Sequence, residues 1–314
     1  MPIRGRVGYP VIRSLSELRT RAADGGLRTI VVADPTGEPT LRSVAAARQA
    51  GIARSVLVGD ETRVRERLRE CDIAPDGFEF VHAGTESEVA RLAVRLVRSG
   101  AADVLMKGSL KTAALMHAAL ERGAGLRTGR VLSDVFLFPF AVTGCERLVG
   151  ITDGGVTPVP TLDQKSQILV NAVRLFRRLG VSLPRVAILS AVETASPMFP
   201  ASEDAAELQK MWERGEFEDC IVGGPLAMDL ALSEEASRLK GVESPVEGRA
   251  DVLLFPTLEA ANIAAKAVEY IVPVEPAHVV VGGSAPILIP SRSESAEARL
   301  NGIALGCWLV GGDR

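Results

Sequence analysis

Short apolar, β-branched runs alternate along the chain with longer stretches in which apolar positions recur every three or four residues. The short runs predict strands at residues 29–33, 55–58, 78–82, 103–106, 186–190, 219–222, 251–255, 279–281 and 287–289. Three of the intervening stretches predict helices. One covers residues 41–50. One covers 86–98, with Val89, Leu92, Ala93, Leu96 and Val97 on a single face. The third covers 161–179, with Ile168, Leu169, Ala172, Leu175, Phe176 and Leu179 on one stripe. Strand–helix alternation implies an α/β fold in three layers, a parallel sheet covered by helices on both faces. In such folds ligands gather at the carboxyl ends of strands, so residues just after each apolar run are read for chemistry first. The segment "RVLSDVFLFPFAVTGCERLVGITDGGVTPVPT" breaks the alternation with two extended apolar runs and a Gly/Pro-rich exit. A domain boundary is therefore expected near residue 140.

Length supports that division, because 314 residues exceed what one core usually serves. At 47% hydrophobic, 24% charged and a net charge of -3, the chain has no basic footprint for nucleic acid and no polybasic membrane patch. No apolar run is long enough to span a bilayer, and the first residues lack the apolar core of a secretory signal, so a cytoplasmic location is expected. Cys71, Cys145, Cys220 and Cys307 are scattered, as are the histidines, and neither shows metal-ligand spacing. No metal is expected.

Several strand exits carry groups suited to anions. Residues 286–305 read "PILIPSRSESAEARLNGIAL" and place Ser291 and Arg292 where a strand hands over to a helix. Ser291 with Glu294 fits a capping box, and Ser293 is a second possible cap. The same geometry also fits an anion site, since helix N-termini and arginine both bind phosphate. In "ADVLMKGSLKTAAL", Lys107, Gly108, Ser109, Lys111 and Thr112 follow a strand. That is either an anion-binding turn or a polar turn with solvated lysines; it is not a P-loop. "GLRTGRVLSD" brings Arg127, Thr128, Arg130 and Ser133 together, or simply marks an edge segment with surface arginines. Gly223 and Gly224 would let a ligand approach the backbone, and Asp229 follows as a possible helix-dipole charge. Asn262 and Lys266 lie four apart on one helix face.

Together the strings "VLMKGSLKTAAL", "GLRTGRVLS", "ITDGG" with "PTLDQKSQILVNAV", "PRVAILSAVE", "GGPLAMD", "KGVESPVEGRADVLLFPTLEAANIAAKA" and "APILIPSRSESAEARLNGIAL" resemble the phosphate acetyl/butyryltransferase family, its butyryl branch more than its acetyl branch. The resemblance covers nearly the whole chain. It implies two α/β domains similar to isocitrate and isopropylmalate dehydrogenases, with a cleft between them. The first would hold residues 1–140 and 287–314, the second 141–286. It implies acyl-CoA and phosphate as substrates, coenzyme A entering as substrate with no bound cofactor, direct transfer without an acyl-enzyme, and a homodimer or larger assembly. Carried onto this chain, it implies Ser291 at the thiol, Arg292 at phosphate and Glu297 as the base. It further implies Lys107, Gly108, Ser109, Thr112, Arg127, Arg130, Ser133, Gly224, Asn262 and Lys266 as substrate contacts.

The chain departs from the family pattern at several of these places. Ala298 stands where the acetyl branch has its aspartate, Ala261 where a glycine precedes Asn262, and Asp134 where a histidine follows Ser133. Ser284, Pro290, Gly223 and Leu230 also differ from the residues usual there. A non-catalytic homologue that binds acyl-CoA or serves a complex is one rival reading. A dehydrogenase of the same fold is another, but it would need clustered aspartates for a divalent ion.

Overall fold

The computed structural model describes residues 10–142, 145–272 and 274–311. In chain order the elements are α1 (Leu15–Asp24), β1 (Arg28–Ala33), α2 (Glu38–Gln49), β2 (Ala53–Gly59), α3 (Glu61–Glu70), β3 (Glu79–His82), α4 (Glu86–Arg98), β4 (Val104–Lys107) and α5 (Thr112–Leu120). Next come β5 (Ser133–Val142), β6 (Cys145–Thr152), α6 (Leu162–Arg178), β7 (Arg185–Leu189), α7 (Pro200–Glu213), β8 (Ile221–Leu226), α8 (Met228–Leu232), α9 (Glu234–Lys240), β9 (Val252–Leu254) and α10 (Leu258–Ile271). The chain closes with β10 (Ala277–Val281), β11 (Ile287–Leu288) and α11 (Ala296–Val310).

These elements fall into two compact units. The first holds Leu15–Leu132 and residues 275–311; the second holds Ser133–Val274 with residues 10–14. The changeovers thus lie at residues 132/133 and 274/275, compared with 140/141 and 286/287 in the sequence reading. The final segment joins the first unit in both divisions. Its share here includes β10 as well as β11.

In the first unit the strand order is β3-β2-β1-β4-β11-β10. Every neighbouring pair is parallel except β10 with β11. Residues 29–33 of β1 are all buried, as a strand covered on both faces requires. Helix α4 begins in a capping box made by Thr85 and Glu88, which explains why its predicted start at 86 needs no adjustment.

In the second unit the order is β5-β6-β9-β7-β8. The expected parallel sheet acquires a second antiparallel pair here, β5 with β6, beside that of β10 with β11. Only two residues separate these strands in the sequence, and so short a link permits a hairpin but no parallel crossover. Phe136, Phe138, Val149 and Ile151 of the pair pack with Leu189, Leu226, Leu230, Leu253, Ala261 and Ala265 into one core. Helix α6 starts in a second capping box, Thr161 with Gln164.

Candidate functional site

In the first unit β1, β4 and β11 are adjacent and parallel, with Ala33 level with Lys107 and Leu288 level with Met106. Their carboxyl ends therefore bring three loops together: residues 34–37, 108–111 and 289–295. The first two are stitched by backbone bonds, Gly108 N to Ala33 O (2.8 Å) and Ser109 N to Asp34 O (2.7 Å). A Cβ at Gly108 would lie 2.1 Å from Asp34 O, so only glycine fits there. Asp34 itself holds a positive φ of 56°. The Thr36 hydroxyl lies between Ser109 Oγ (2.9 Å) and Asp34 Oδ1 (3.2 Å). Neither α2 nor α5 has a side-chain cap on its N-terminus.

Lys107 ends β4 and is 4% exposed. Its ammonium has one long contact, 3.5 Å, to the Gly108 carbonyl. Burial pushes its pKa below the ordinary lysine value, and the guanidiniums of Arg299 and Arg292 push in the same direction, with Glu294 opposing them. Arg292 is exposed and Ser291 half-buried. Three cations thus act on one region at the strand ends, and Ser109 and Ser291 lie on the loops that follow β4 and β11. Such a region favours a multiply charged anion: at an effective dielectric near 20, each unit-charge pair about 4 Å apart is worth roughly 4 kcal/mol before desolvation.

Helix α11 is not capped by Ser291 or Ser293, as the capping reading expected. Its cap is Ser295, whose hydroxyl accepts the Ala298 N–H at 3.0 Å. The Ser291–Glu294 contact does occur, with Ser291 N donating to Glu294 Oε1 at 2.6 Å, but it closes a turn before the helix. Ser291 Oγ sits 3.1 Å from Ser293 Oγ.

Glu297 lies in the first turn of α11, but Arg19 of α1 engages its carboxylate at 3.0 Å and its side chain is 59% exposed. The carboxylate at the Ser291 turn is that of Glu294, 3% exposed. Thr112 opens α5 and is exposed. Arg127 and Arg130 are exposed on a loop that Thr128 ties down, its hydroxyl donating to Gly282 O at 2.6 Å. Sequence reasoning missed Thr36, His278, Glu294 as a site carboxylate, and Arg299. The findable signal was Arg299, a charge within a helix that is otherwise apolar on nearly every side.

The second unit holds the remaining candidates. Ser133 is fully buried, and its hydroxyl accepts from Asn171 Nδ2 at 3.0 Å. At Gly224 the close approach is made by the protein itself: a Cβ would lie 2.7 Å from Ile188 Cβ, and at Gly223 one would lie 2.6 Å from Ser244 Oγ. Asn262 Nδ2 donates to Gly154 O at 3.0 Å, and Lys266 pairs with Glu269 at 2.6 Å. Asp229 pairs with Lys240 at 2.9 Å. Asp134 is buried beside Gly155, where a Cβ would lie 2.4 Å from its Oδ2. Its backbone N–H donates to Asp153 Oδ1 at 3.0 Å. Burial raises the Asp153 carboxyl to about 6, although its hydrogen bonds from backbone N–H groups pull the other way.

A family profile described as "Phosphate acetyl/butaryl transferase" matches residues 84–307. The chain belongs to the phosphate acetyl/butyryl transferase family. It is 36% identical over 301 residues to the phosphate butyryltransferase of Clostridium acetobutylicum, covering 96% of this chain and 99% of that one. A branched-chain phosphotransacylase from Enterococcus faecalis superposes with a TM-score of 0.79 at 27% identity, covering 90% of this chain and 99% of that one. The 4-hydroxythreonine-4-phosphate dehydrogenase of Klebsiella pneumoniae superposes at 0.54 with 14% identity, covering 90% and 99%. That last likeness shows the dehydrogenase-like α/β fold alone. Membership makes the chain one of the acyltransferases, as the sequence resemblance implied. Among the described residues, no cluster of three or more His, Cys, Asp or Glu could hold a metal ion. No helix among them is long and apolar enough to cross a membrane.

Proposed function

We propose that this protein moves a short acyl group between coenzyme A and inorganic phosphate (acyl-CoA + phosphate = acyl phosphate + CoA) by direct transfer, without an acyl-enzyme. The observation that carries the reading is the buried Lys107 beside Arg299 and Arg292, one strand from Ser291. Positive charge held out of water at strand ends is costly unless an anion arrives, and phosphate supplies the charge. The loops supply hydroxyls and N–H groups of the kind that hold phosphate oxygens.

In this reading Arg292 and Lys107 hold phosphate, and Ser291 meets the thiol. The carbonyl oxygen turns negative when phosphate or thiolate attacks, and preformed positive charge stabilises it without reorganisation. Holding both substrates removes the entropic cost of their encounter. Glu297 is the proton acceptor and would have to leave Arg19 to act. The exposed Arg127, Arg130 and Thr112, with Gly108 and Ser109, line the approach of the anionic substrates; of the second unit's family-derived contacts Asn262 and Lys266 remain, whereas Ser133 and Gly224 are packed against Asn171 and Ile188 and serve the scaffold. Two of the family departures, Asp134 and Ala261, are packed inside the second unit. They therefore do not favour a chain that has lost its chemistry. A cytoplasmic homodimer acting on acyl-CoA and phosphate, without metal, membrane or nucleic acid, completes the proposal.

The test is incubation with acetyl-, butyryl- and branched-chain acyl-CoA plus phosphate, following free thiol. Phosphate-dependent thiol release is expected with at least one of them. Release that ignores phosphate would point to hydrolysis and overturn the transfer reading.

A further inference from the structure

Beneath the Ser291 turn lies a closed group of charged side chains, in which Glu294 and His278 have no part in the proposed reaction and Arg299 has all three of its nitrogens bonded within the protein. Glu294 is 3% exposed, and His278 and Arg299 are each 5% exposed. Glu294 Oε1 accepts the Ser291 N–H at 2.6 Å, and Glu294 Oε2 lies 3.3 Å from His278 Nε2 of β10. On the other side of the turn, Arg299 Nη2 donates to Ser291 O at 2.6 Å and Arg299 Nε to Glu294 O at 3.2 Å. Arg299 Nη1 reaches Thr40 Oγ1 of α2 at 3.1 Å. The backbone of Ser291 is therefore gripped at both its N–H and its C=O.

Two features make this more than packing. Buried charges are costly, and replacing a buried ionic group with well-packed apolar residues is often neutral or stabilising. A network that is expensive to bury and that ends on the backbone of one loop residue has positioning as its natural use. The network is also not packed solid. A cavity of about 10 Å³ remains among Met106, His278, Leu288, Glu294, Ala298 and Arg299, close to the space that one water needs. The side chains above, Ser291 and Arg292, are half-buried and exposed, so the grip leaves them open to a ligand while fixing their backbone.

We infer that Glu294, held by His278, is a positioning residue: its carboxylate fixes the Ser291 backbone and so sets where Ser291 Oγ and the Arg292 guanidinium meet phosphate and thiol. The inference rests on the phosphate-transfer reading. Misplacing a reacting group by about 1 Å can cost on the order of 100-fold in rate.

The test compares wild type, Glu294→Ala, Glu294→Gln, His278→Ala and the Glu294→Ala/His278→Ala double variant. The readouts are kcat, KM for phosphate, KM for acyl-CoA, thermal midpoint, and inorganic phosphate affinity by calorimetry. Glu294→Ala should lower kcat/KM for phosphate by about 100-fold while KM for acyl-CoA moves less than about threefold. Glu294→Gln keeps an oxygen to accept the Ser291 N–H and should recover most of that loss. His278→Ala should cost about tenfold, and the double variant should be no worse than Glu294→Ala, because both act through one contact. Three results would overturn the inference: full activity in folded Glu294→Ala, a glutamine variant no better than alanine at equal thermal midpoint, or additive losses in the double variant. Wild type that binds phosphate but turns nothing over would sink the transfer reading alone, and the phosphate affinities of the same variants would then decide the positioning role. Wild type that does neither overturns both.

Discussion

The two units each bury charged side chains at strand ends, and they resolve the cost in different ways. In the second unit Asp134 and Asp153 are 1% and 3% exposed. Asp153 accepts the N–H groups of Asp134, Gly155, Val156 and Thr157 at 2.8–3.1 Å, so its own backbone closes round it. In the first unit Lys107 is buried near the guanidiniums of Arg299 and Arg292 and the carboxylate of Glu294, and among the described residues its ammonium makes one 3.5 Å contact, to the neighbouring Gly108 carbonyl. Asp153 is satisfied from within; the Lys107 ammonium is left with room for a partner from outside. Burial and shifted pKa are common to both, so neither alone marks a binding site. What separates them is whether the protein has already supplied the hydrogen bonds.

That contrast breaks most sharply at Arg292. Arg292→Ala should lower kcat/KM by about 100- to 1,000-fold, with a change in unfolding free energy under about 0.5 kcal/mol, because the side chain is exposed. Steady-state kinetics with denaturant unfolding checks both halves. A clearly destabilised variant whose folded fraction keeps normal specific activity would make the arginine structural.

The acidic group gives the next largest effect, in stability. The folded chain keeps the Asp153 proton until about pH 6, whereas the unfolded chain releases it near the ordinary 3.8. Between those values the folded state binds more protons, so stability falls as pH rises through the window, by up to about 3 kcal/mol. Denaturant unfolding at several pH values from 4 to 7 reads the slope. Asp153→Asn should flatten it.

Lys107→Met sharpens the comparison from the cationic side. Removing a buried positive charge beside two guanidiniums should raise stability by about 1 kcal/mol, while phosphate affinity drops about tenfold or more. Calorimetry and thermal unfolding check the pair of outcomes. A loss of both stability and affinity would mean that the lysine is already satisfied inside the protein.

The smallest expected effect is at Ala261. It is fully buried in the second unit's core, so Ala261→Gly should cost about 1 kcal/mol through helix propensity and lost packing, with turnover little changed. The family pattern, with glycine at this place, would instead suggest a gain in turnover. Parallel assays of stability and rate distinguish the two.

The fold was legible because its signals are local and repeated. Val31, Val32 and Leu105 sit in short β-branched and aliphatic runs, and the helices at 86–98 and 161–179 each carry one apolar stripe. The antiparallel turn of β5 onto β6 was hidden, since two extended runs show no pairing direction until the two-residue link between them is weighed. At the site, Lys107, Ser291 and Arg292 were found because each follows a strand. Glu294, Arg299 and His278 were not, because their roles come from contacts between positions as far apart as Thr40 and Arg299. A capping motif drew Glu294 into the wrong element by one helical turn. The cap itself fell to Ser295.

The first unit is assembled from two stretches of chain, Leu15–Leu132 and the part beyond Glu275, and β11 fits directly between β4 and β10. During synthesis β4 must therefore wait, with one edge open, while the whole second unit is made. At translation rates of about 5–20 residues per second that wait lasts roughly 7–30 s. An open strand edge for so long invites pairing with other chains. The delay also has a protective side. Ser291, Arg292 and Arg299 all arrive with the last stretch, so a chain released early lacks the turn on which the proposed anion site depends.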